Sequence, residues 1–436
     1  MAARRRTNEP AETIGLSMLV REAAYGRAFD RLARQLSEWL AIRSDDAGAR
    51  LALSGVMLLS GDRTLGLEVQ AMALAQTRVY RRVFGNGRGL RVLAFLAPGD
   101  LATNAPLDYL LEASNVDLMM VYCDGTEPVF EALPDHDIAF LAINRSEETA
   151  DLLAQLSETL DDWPRPVMNG HPDRIAALSR DRLFAMLAGH RRLIFPDIRR
   201  MSRSRLLAAS RSTSAAAWDG PAFPVVVRPA LPGVEAEKID DLRDLEAYLL
   251  RAPDADIEVT AFYDYSGSDG LFRKFRVAFI DGQPHLARAS VSYNWRAPYI
   301  SLSEENFAPG ERVEEANLTS SFNATFAVRH RAAFDSIVEA AQLDCFDIDC
   351  AETIDGRLLV FEAGAAMLTH VADPSPLHPY NPPSCVKMSA ALVRALTARC
   401  AQPPADIWWR ARTAGGIGAP QMAAKSVHAD HVARFW

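Results

Sequence analysis

The chain has 436 residues, 49% hydrophobic and 24% charged, with a formal net charge of −9. That length leaves room for two or three domains, and the negative balance excludes an electrostatic grip on nucleic acid or anionic lipid. No window approaches the run of about 18 apolar residues that spans a bilayer, and MAARRRTNEPAETIG has no apolar stretch behind its basic residues, so neither a membrane partner nor a signal peptide is expected.

In chain order, residues 12–84 read as helical. Phe29, Leu32, Leu36, Trp39 and Leu40 fall on one stripe, AGARLALSGVMLLS (47–60) forms a second helix, and a third carries Leu65, Val69, Met72, Ala73, Gln76 and Tyr80 beyond the break at Ser60-Gly61-Asp62. These look like tetratricopeptide-type hairpins. They number at most two, below the roughly three repeats a free solenoid needs, so they should pack on the rest of the chain, on a protein partner or on a second copy. FGNGRG (84–89) reads as a linker. Then RVLAFLA (91–97), a helical segment at 106–114, DLMMVYC (117–123), DIAFLAI (137–143), a helix at 146–159 and PVMN (166–169) alternate strand with helix. That predicts α/β structure with a mainly parallel sheet.

The second half reads as α+β. It holds a helix at 178–188, a Ser/Arg-rich loop over Arg199–Ser214, and the strand FPVVVRP (223–229). A helix at 240–251 and the strand IEVTAFYDY (257–265) follow. The hairpin LFRKFRVAFIDGQPHLARASV turns at Asp281-Gly282; helix 326–341, a second hairpin, and helix 384–399 complete it. A tail runs from 401 to 436. Cys123, Cys345, Cys350, Cys385 and Cys400 show no CxxC spacing, which fits reduced thiols in a cytoplasmic protein better than disulfides or a zinc site.

The second hairpin, FDIDCAETIDGRLLVFEAGAAMLTH (346–370), carries the most chemistry. Asp355-Gly356 is a type I′ signal, which sets Ile354 opposite Arg357 (354 + 357 = 711). Asp349 then opposes Glu362 (349 + 362 = 711) and Asp347 opposes Gly364 (347 + 364 = 711), with Ala351, Thr353, Leu358 and Val360 on the same face. Directly opposed carboxylates repel, and a hard cation such as Mg²⁺ would relieve them. The bland alternative is a surface hairpin whose acids point into water.

From about Leu51 to Leu396, the order of elements resembles bacterial proteins that join tetratricopeptide-like helices to an ATP-grasp module. The motifs are LDCFDIDCAETIDGRLLVFEAGAAMLTH, PVMN followed by SRDRL, FPVVVRP, and DYSGSDGLFRKFRVAFIDGQP. The resemblance implies N-terminal helical hairpins (12–84), a Rossmann-like pre-ATP-grasp α/β domain (90–177) and an ATP-grasp module of two α+β subdomains (178–400). It implies ATP and Mg²⁺ as cofactors, with Asp349 and Glu362 as magnesium ligands. Arg276 would lie near the γ-phosphate and Arg296 at the acyl phosphate. Arg182 and Arg228 stand where such proteins place phosphate-binding lysines, and IEVTAFYDY matches the hinge that holds adenine. The activity implied is ATP-dependent joining of a carboxylate to an amine or thiol through an acyl phosphate, with a peptide or amino-acid-like substrate as the first class to try.

Two departures stand out. The flap after strand 223–229, ALPGVEAEKI (230–239), has one glycine and two glutamates, which Lys238 would partly offset. Gly364 replaces a ligating asparagine, and Asp347, opposite it, would return an oxygen to that space. Both departures favour a second expectation, a catalytically impaired ATP-grasp protein serving as a nucleotide-binding or scaffold module.

Overall fold

The apolar runs become central strands. β3 (Arg91–Leu96) lies between β4 (Asp117–Tyr122) and β5 (Ile138–Leu141), β6 (Val167–Met168) adds beyond β5, and all these pairs are parallel. Strands this apolar are stable only when covered on both faces, and β3 and β5 are buried almost throughout. In the computed structural model, residues 10–15, 17–19, 28–125, 133–212, 214, 217–230, 235–297, 309–367 and 381–401 are described. The expected tail from 402 onward, flap residues 231–234 and the hairpin's Leu368–His370 lie outside them.

The helical reading of 12–84 holds for Ala28–Ile42, Ala47–Leu59 and Arg63–Leu74, the last two capped by Asp46 and Asp62 through the amides of Ala49 and Leu65. It fails beyond them. Val79–Val83 is a strand, β2, antiparallel to β4, and β1 (Ala11–Glu12) pairs parallel with β2 to complete the sheet order β1-β2-β4-β3-β5-β6. Tyr80, expected on the third helix, is fully buried in that sheet. FGNGRG is a turn within the same sheet, tied by the Phe84 amide to the Val116 carbonyl and by the Gly87 amide to Phe84. The helical segment at 106–114 shortens to Leu107–Leu110.

Two further sheets form the second half. β8 (Arg199–Met201), β9 (Val225–Pro229), β10 (Glu237–Ile239) and β11 (Ile257–Ala261) make an antiparallel sheet ordered β10-β9-β11-β8. Its apolar face, with Val225, Val227, Ile257 and Val259, packs with Leu206 of helix Arg203–Ser210 and with Leu245 and Leu249 of helix Leu242–Arg251. The Ser/Arg-rich loop expected over Arg199–Ser214 is therefore mostly strand and helix, the helix capped by Ser202. The third sheet is ordered β13-β12-β14-β15-β7. It contains β7 (Leu193–Ile194), β12 (Phe272–Ile280), β13 (Gln283–Ser292), β14 (Cys345–Glu352) and β15 (Leu358–Gly364). The β12–β13 turn has Asp281 and Gly282 at φ 49° and 72°, between paired Ile280 and Gln283, as the sequence predicts. Phe275, Val277 and Phe279, with Phe346, Ile348 and Cys350, form the back of this sheet against helix Arg331–Ala341.

Asn169, at the end of PVMN, joins the first sheet to the third. Its carboxamide donates to the Cys345 carbonyl (2.7 Å) and accepts from the Cys345 amide (2.8 Å), while its backbone N–H donates to Asp344 (2.7 Å). It behaves as one rung of a β-ladder built from a side chain. Arg399 of helix Asn381–Cys400 pairs with the other oxygen of Asp344. Among the described residues no helix is long and apolar enough to cross a membrane. All five cysteines are unbridged.

Candidate functional site

The register sets the site. β14 and β15 pair Asp347 with Gly364 and Asp349 with Glu362. The route to that register differs from the expected one. Thr353 pairs with Arg357 (353 + 357 = 710), the Gly356 amide donates to the Thr353 carbonyl, and only Gly356 has positive φ, at 80°. This is a three-residue loop closed by a left-handed glycine, not a type I′ turn. A bulge between Asp349 and Cys350 then adds one residue on β15 and restores the sum to 711 (349 + 362). The bulge also corrects the face. Ala351 packs with Leu359 and Phe361, whereas Leu358 and Val360 belong to the back of the sheet. Bulges commonly re-aim side chains beside functional sites, and this one turns Phe361 toward the carboxylates.

On the neighbouring strand Arg276 pairs with Asp349 and Lys274 with Ala351, so both cations share the carboxylate face. Arg276 grips Asp349 with both arms, Nε to Oδ1 at 2.7 Å and Nη2 to Oδ2 at 3.0 Å, and its Nε lies 3.9 Å from Asp347 Oδ2. Lys274 Nζ lies 3.5 Å from Asp349 Oδ2 and 5.7 Å over the Phe361 ring, with its side chain 1% exposed. Burial pushes the Lys274 ammonium down from its ordinary pKa, against the opposing pull of Asp349 and Glu362. Three carboxylates (Asp347, Asp349, Glu362) and two cations (Lys274, Arg276) leave a formal charge of −1 on this face (−3 + 2).

Apolar residues close both ends of the charged patch. Tyr265 packs edge-on against Phe272 and Phe361 at one end, and its hydroxyl donates to the Trp295 carbonyl. Burial raises the Tyr265 phenol well above its ordinary pKa, and the nearby charges of Asp264 and Asp349 add to the rise. At the other end Ala278, Ile280 and Cys345 cluster with Met388 and Leu392. Sequence reasoning missed Lys274 and Tyr265, although Lys274 is legible from Arg276 by the period of two. It also missed Asn144, at the carboxyl end of β5. The Asn144 carboxamide accepts from Ala365 N–H (3.1 Å) and donates to the Ala102 carbonyl (3.2 Å).

A divalent cation is a partial fit. A Cβ built on Gly364 would lie 3.5 Å from Asp347 Oδ1 and 3.7 Å from Asn144 Oδ1, so oxygens border the place that a longer side chain would fill. Asp349, however, is taken up by the chain's own cations. Among the described residues no group of three or more His, Cys, Asp or Glu side chains is arranged to hold a metal.

The other sequence-derived residues lie elsewhere. Arg228 and Glu258 are directly opposed on β9 and β11 and form a buried pair at 2.5 Å. Lys238 shares their face, bound to Asp240 (2.6 Å) and 5.1 Å over the Phe262 ring. That ring meets Trp295 edge-on at 5.9 Å. Arg296 donates to Glu235 (2.9 Å) and to the Ala236 carbonyl (2.7 Å), tying the flap to the loop after β13. The flap's other acid, Glu237, pairs with Arg251. Both glutamates expected to trouble a polyphosphate are thus neutralised by arginines. Arg182 is exposed on helix Arg180–Met186, its amide capped by Ser179, and joins none of these groups through a described contact.

No family model matches the chain, and no curated protein does. Among solved structures it is similar to the RimK domain ATP-grasp protein of Sphaerobacter thermophilus, at 16% identity and a TM-score of 0.41, over 70% of this chain and 99% of that one. It is similar to D-alanine–D-alanine ligase of Bacillus anthracis complexed with ATP, at 14% and 0.41, over 72% and 100%. A third is the ATP-grasp ligase PsnB complexed with a minimal precursor, at 17% and 0.38, over 71% and 99%.

Proposed function

We propose that the chain is an ATP-dependent ligase that activates a carboxylate as an acyl phosphate and passes it to an amine or thiol. The observation that carries this reading is the register that sets Asp347, Asp349, Glu362 and Arg276 on one face of an antiparallel sheet. The chemistry must bring a carboxylate up to a polyphosphate, two anions, and the dominant need is charge compensation. Mg²⁺ bound with ATP would supply part of that charge, held by Glu362 and Asp347 with Asp349. Arg276 orients and neutralises the transferred group from the sheet side. Arg228 and Lys238 would add positive charge from the four-stranded sheet, and Arg296 would act through the residues it binds, Glu235 and the Ala236 carbonyl. A carboxylate oxygen forms the new bond to the terminal phosphorus as ADP leaves. The amine or thiol then bonds to the acyl carbon as phosphate leaves, and the nucleophile gives up its proton.

The substrate class we propose is a peptide or amino-acid-like carboxylate. The N-terminal helices, with Trp39, Ile42 and Met72 exposed, would hold a protein partner, a leader peptide or a second copy. Five unbridged thiols suit the cytoplasm. Gly364, together with the commitment of Asp349 to Arg276, favours a second reading, a nucleotide-binding module without turnover. ADP release from ATP, Mg²⁺ and pooled amino acids separates the two. The ligase reading expects release that Glu362→Gln abolishes; nucleotide binding with no Glu362-dependent release selects the module.

A further inference from the structure

We propose that this site admits a divalent cation only together with a nucleotide, because Arg276 closes Asp349 to the metal alone. The inference rests on the nucleotide reading of the site and adds an order of events to it.

Asp349 is the most enclosed of the carboxylates, its side chain 5% exposed, and both of its oxygens are engaged by Arg276 at 2.7 and 3.0 Å. Lys274 adds a third contact at 3.5 Å. A free cation approaching Asp349 must displace a two-armed guanidinium from a buried carboxylate, and it brings no oxygen to replace the two that Arg276 gives up; Asp347, 3.9 Å from Arg276 Nε, is one of the carboxylates the cation itself would take. Breaking a buried charge pair while stranding one member is strongly unfavourable. A polyphosphate changes the balance, since its oxygens match the guanidinium fork as well as a carboxylate does. The Arg276 side chain is 16% exposed, against 1% for Lys274, so Arg276 is the cation able to exchange partners while Lys274 stays and holds Asp349 in place. Arg276 passes to the phosphates, Asp349 opens, and the cation enters on the same nucleotide.

The test uses the full-length chain and Mn²⁺ alone as probe, with the signal of free aqueous Mn²⁺ followed by electron paramagnetic resonance. The wild type should leave that signal undiminished at Mn²⁺ concentrations where Arg276→Gln depletes it, a gain in affinity of about tenfold or more. Arg276→Lys, which keeps the charge without the two-armed grip, should fall between them and serves if the glutamine variant does not fold. Equal Mn²⁺ affinity in wild type and both variants overturns the lock. ADP binding, measured separately by equilibrium dialysis with Mn²⁺, tests the underlying reading. Loss of ADP binding beside an intact Mn²⁺ gain sinks the nucleotide reading and leaves the Arg276 clamp. ADP binding beside equal Mn²⁺ affinities does the reverse.

Discussion

Asn169 offers the sharpest test of how the halves of the chain are held. Its carboxamide satisfies both the N–H and the C=O of Cys345, at 2.8 and 2.7 Å, in a region where Asn169 is 1% and Cys345 0% exposed. Asn169→Ala leaves two buried backbone groups without partners, each costing about 1–3 kcal/mol. It also puts alanine at φ 53°, where a side chain other than Asn, Asp or Gly costs about 1–2 kcal/mol. The expected loss is about 3–8 kcal/mol, a large share of the roughly 5–15 kcal/mol that keeps a protein folded. Asn169→Gly removes the same bonds without the backbone strain and should be milder by about 1–2 kcal/mol. Urea unfolding of the three proteins measures both differences. A loss below about 1 kcal/mol for the alanine variant would refute the assignment of this residue as the ladder between the sheets.

Other changes test neighbouring parts of the argument. Gly356→Ala meets no atom within 4 Å at φ 80°, so its cost should be backbone strain alone, about 1–2 kcal/mol by denaturant midpoint. Tyr265→Phe removes the hydroxyl that donates to Trp295 and should lower stability by about 1 kcal/mol. Glu352 accepts from His330 at 2.7 Å, and that bond, followed by Arg329, holds its carboxyl below the ordinary 4.5. A depressed carboxylate stabilises the fold above its unfolded pKa, and that contribution is lost as pH falls through the folded value. In an acid titration of Tm, Glu352→Gln should therefore flatten the decline below about pH 4.5.

The strands were legible because their apolar runs are long and bounded, and the Asp281-Gly282 turn because both residues sit at its centre. Other features left weaker traces. Val79–Val83 is five residues directly after a helix, and Tyr80 continues that helix's apolar stripe. At the second hairpin the Asp-Gly signal was real, but only the glycine adopts positive φ, and nothing in a period-two pattern marks Phe361 as a bulge. The loop shift and the bulge cancel, so the pairing of Asp349 with Glu362 was read correctly while the faces of Leu358 and Val360 were not. Charge compensation is also invisible along a strand. The cation expected to separate the carboxylates is, in this structure, matched by Arg276 and Lys274, contributed by a strand some seventy residues earlier in the chain (349 − 276 = 73).

The central claim is that the face carrying Asp347, Asp349 and Glu362 receives a metal-bound nucleotide. Calorimetric titration of Mg²⁺–ATP into the wild type and into Glu362→Gln tests it most directly. The account predicts saturable binding by the wild type that weakens by about tenfold or more in the variant. Identical affinities in the two proteins, or no heat of binding in either, would contradict it.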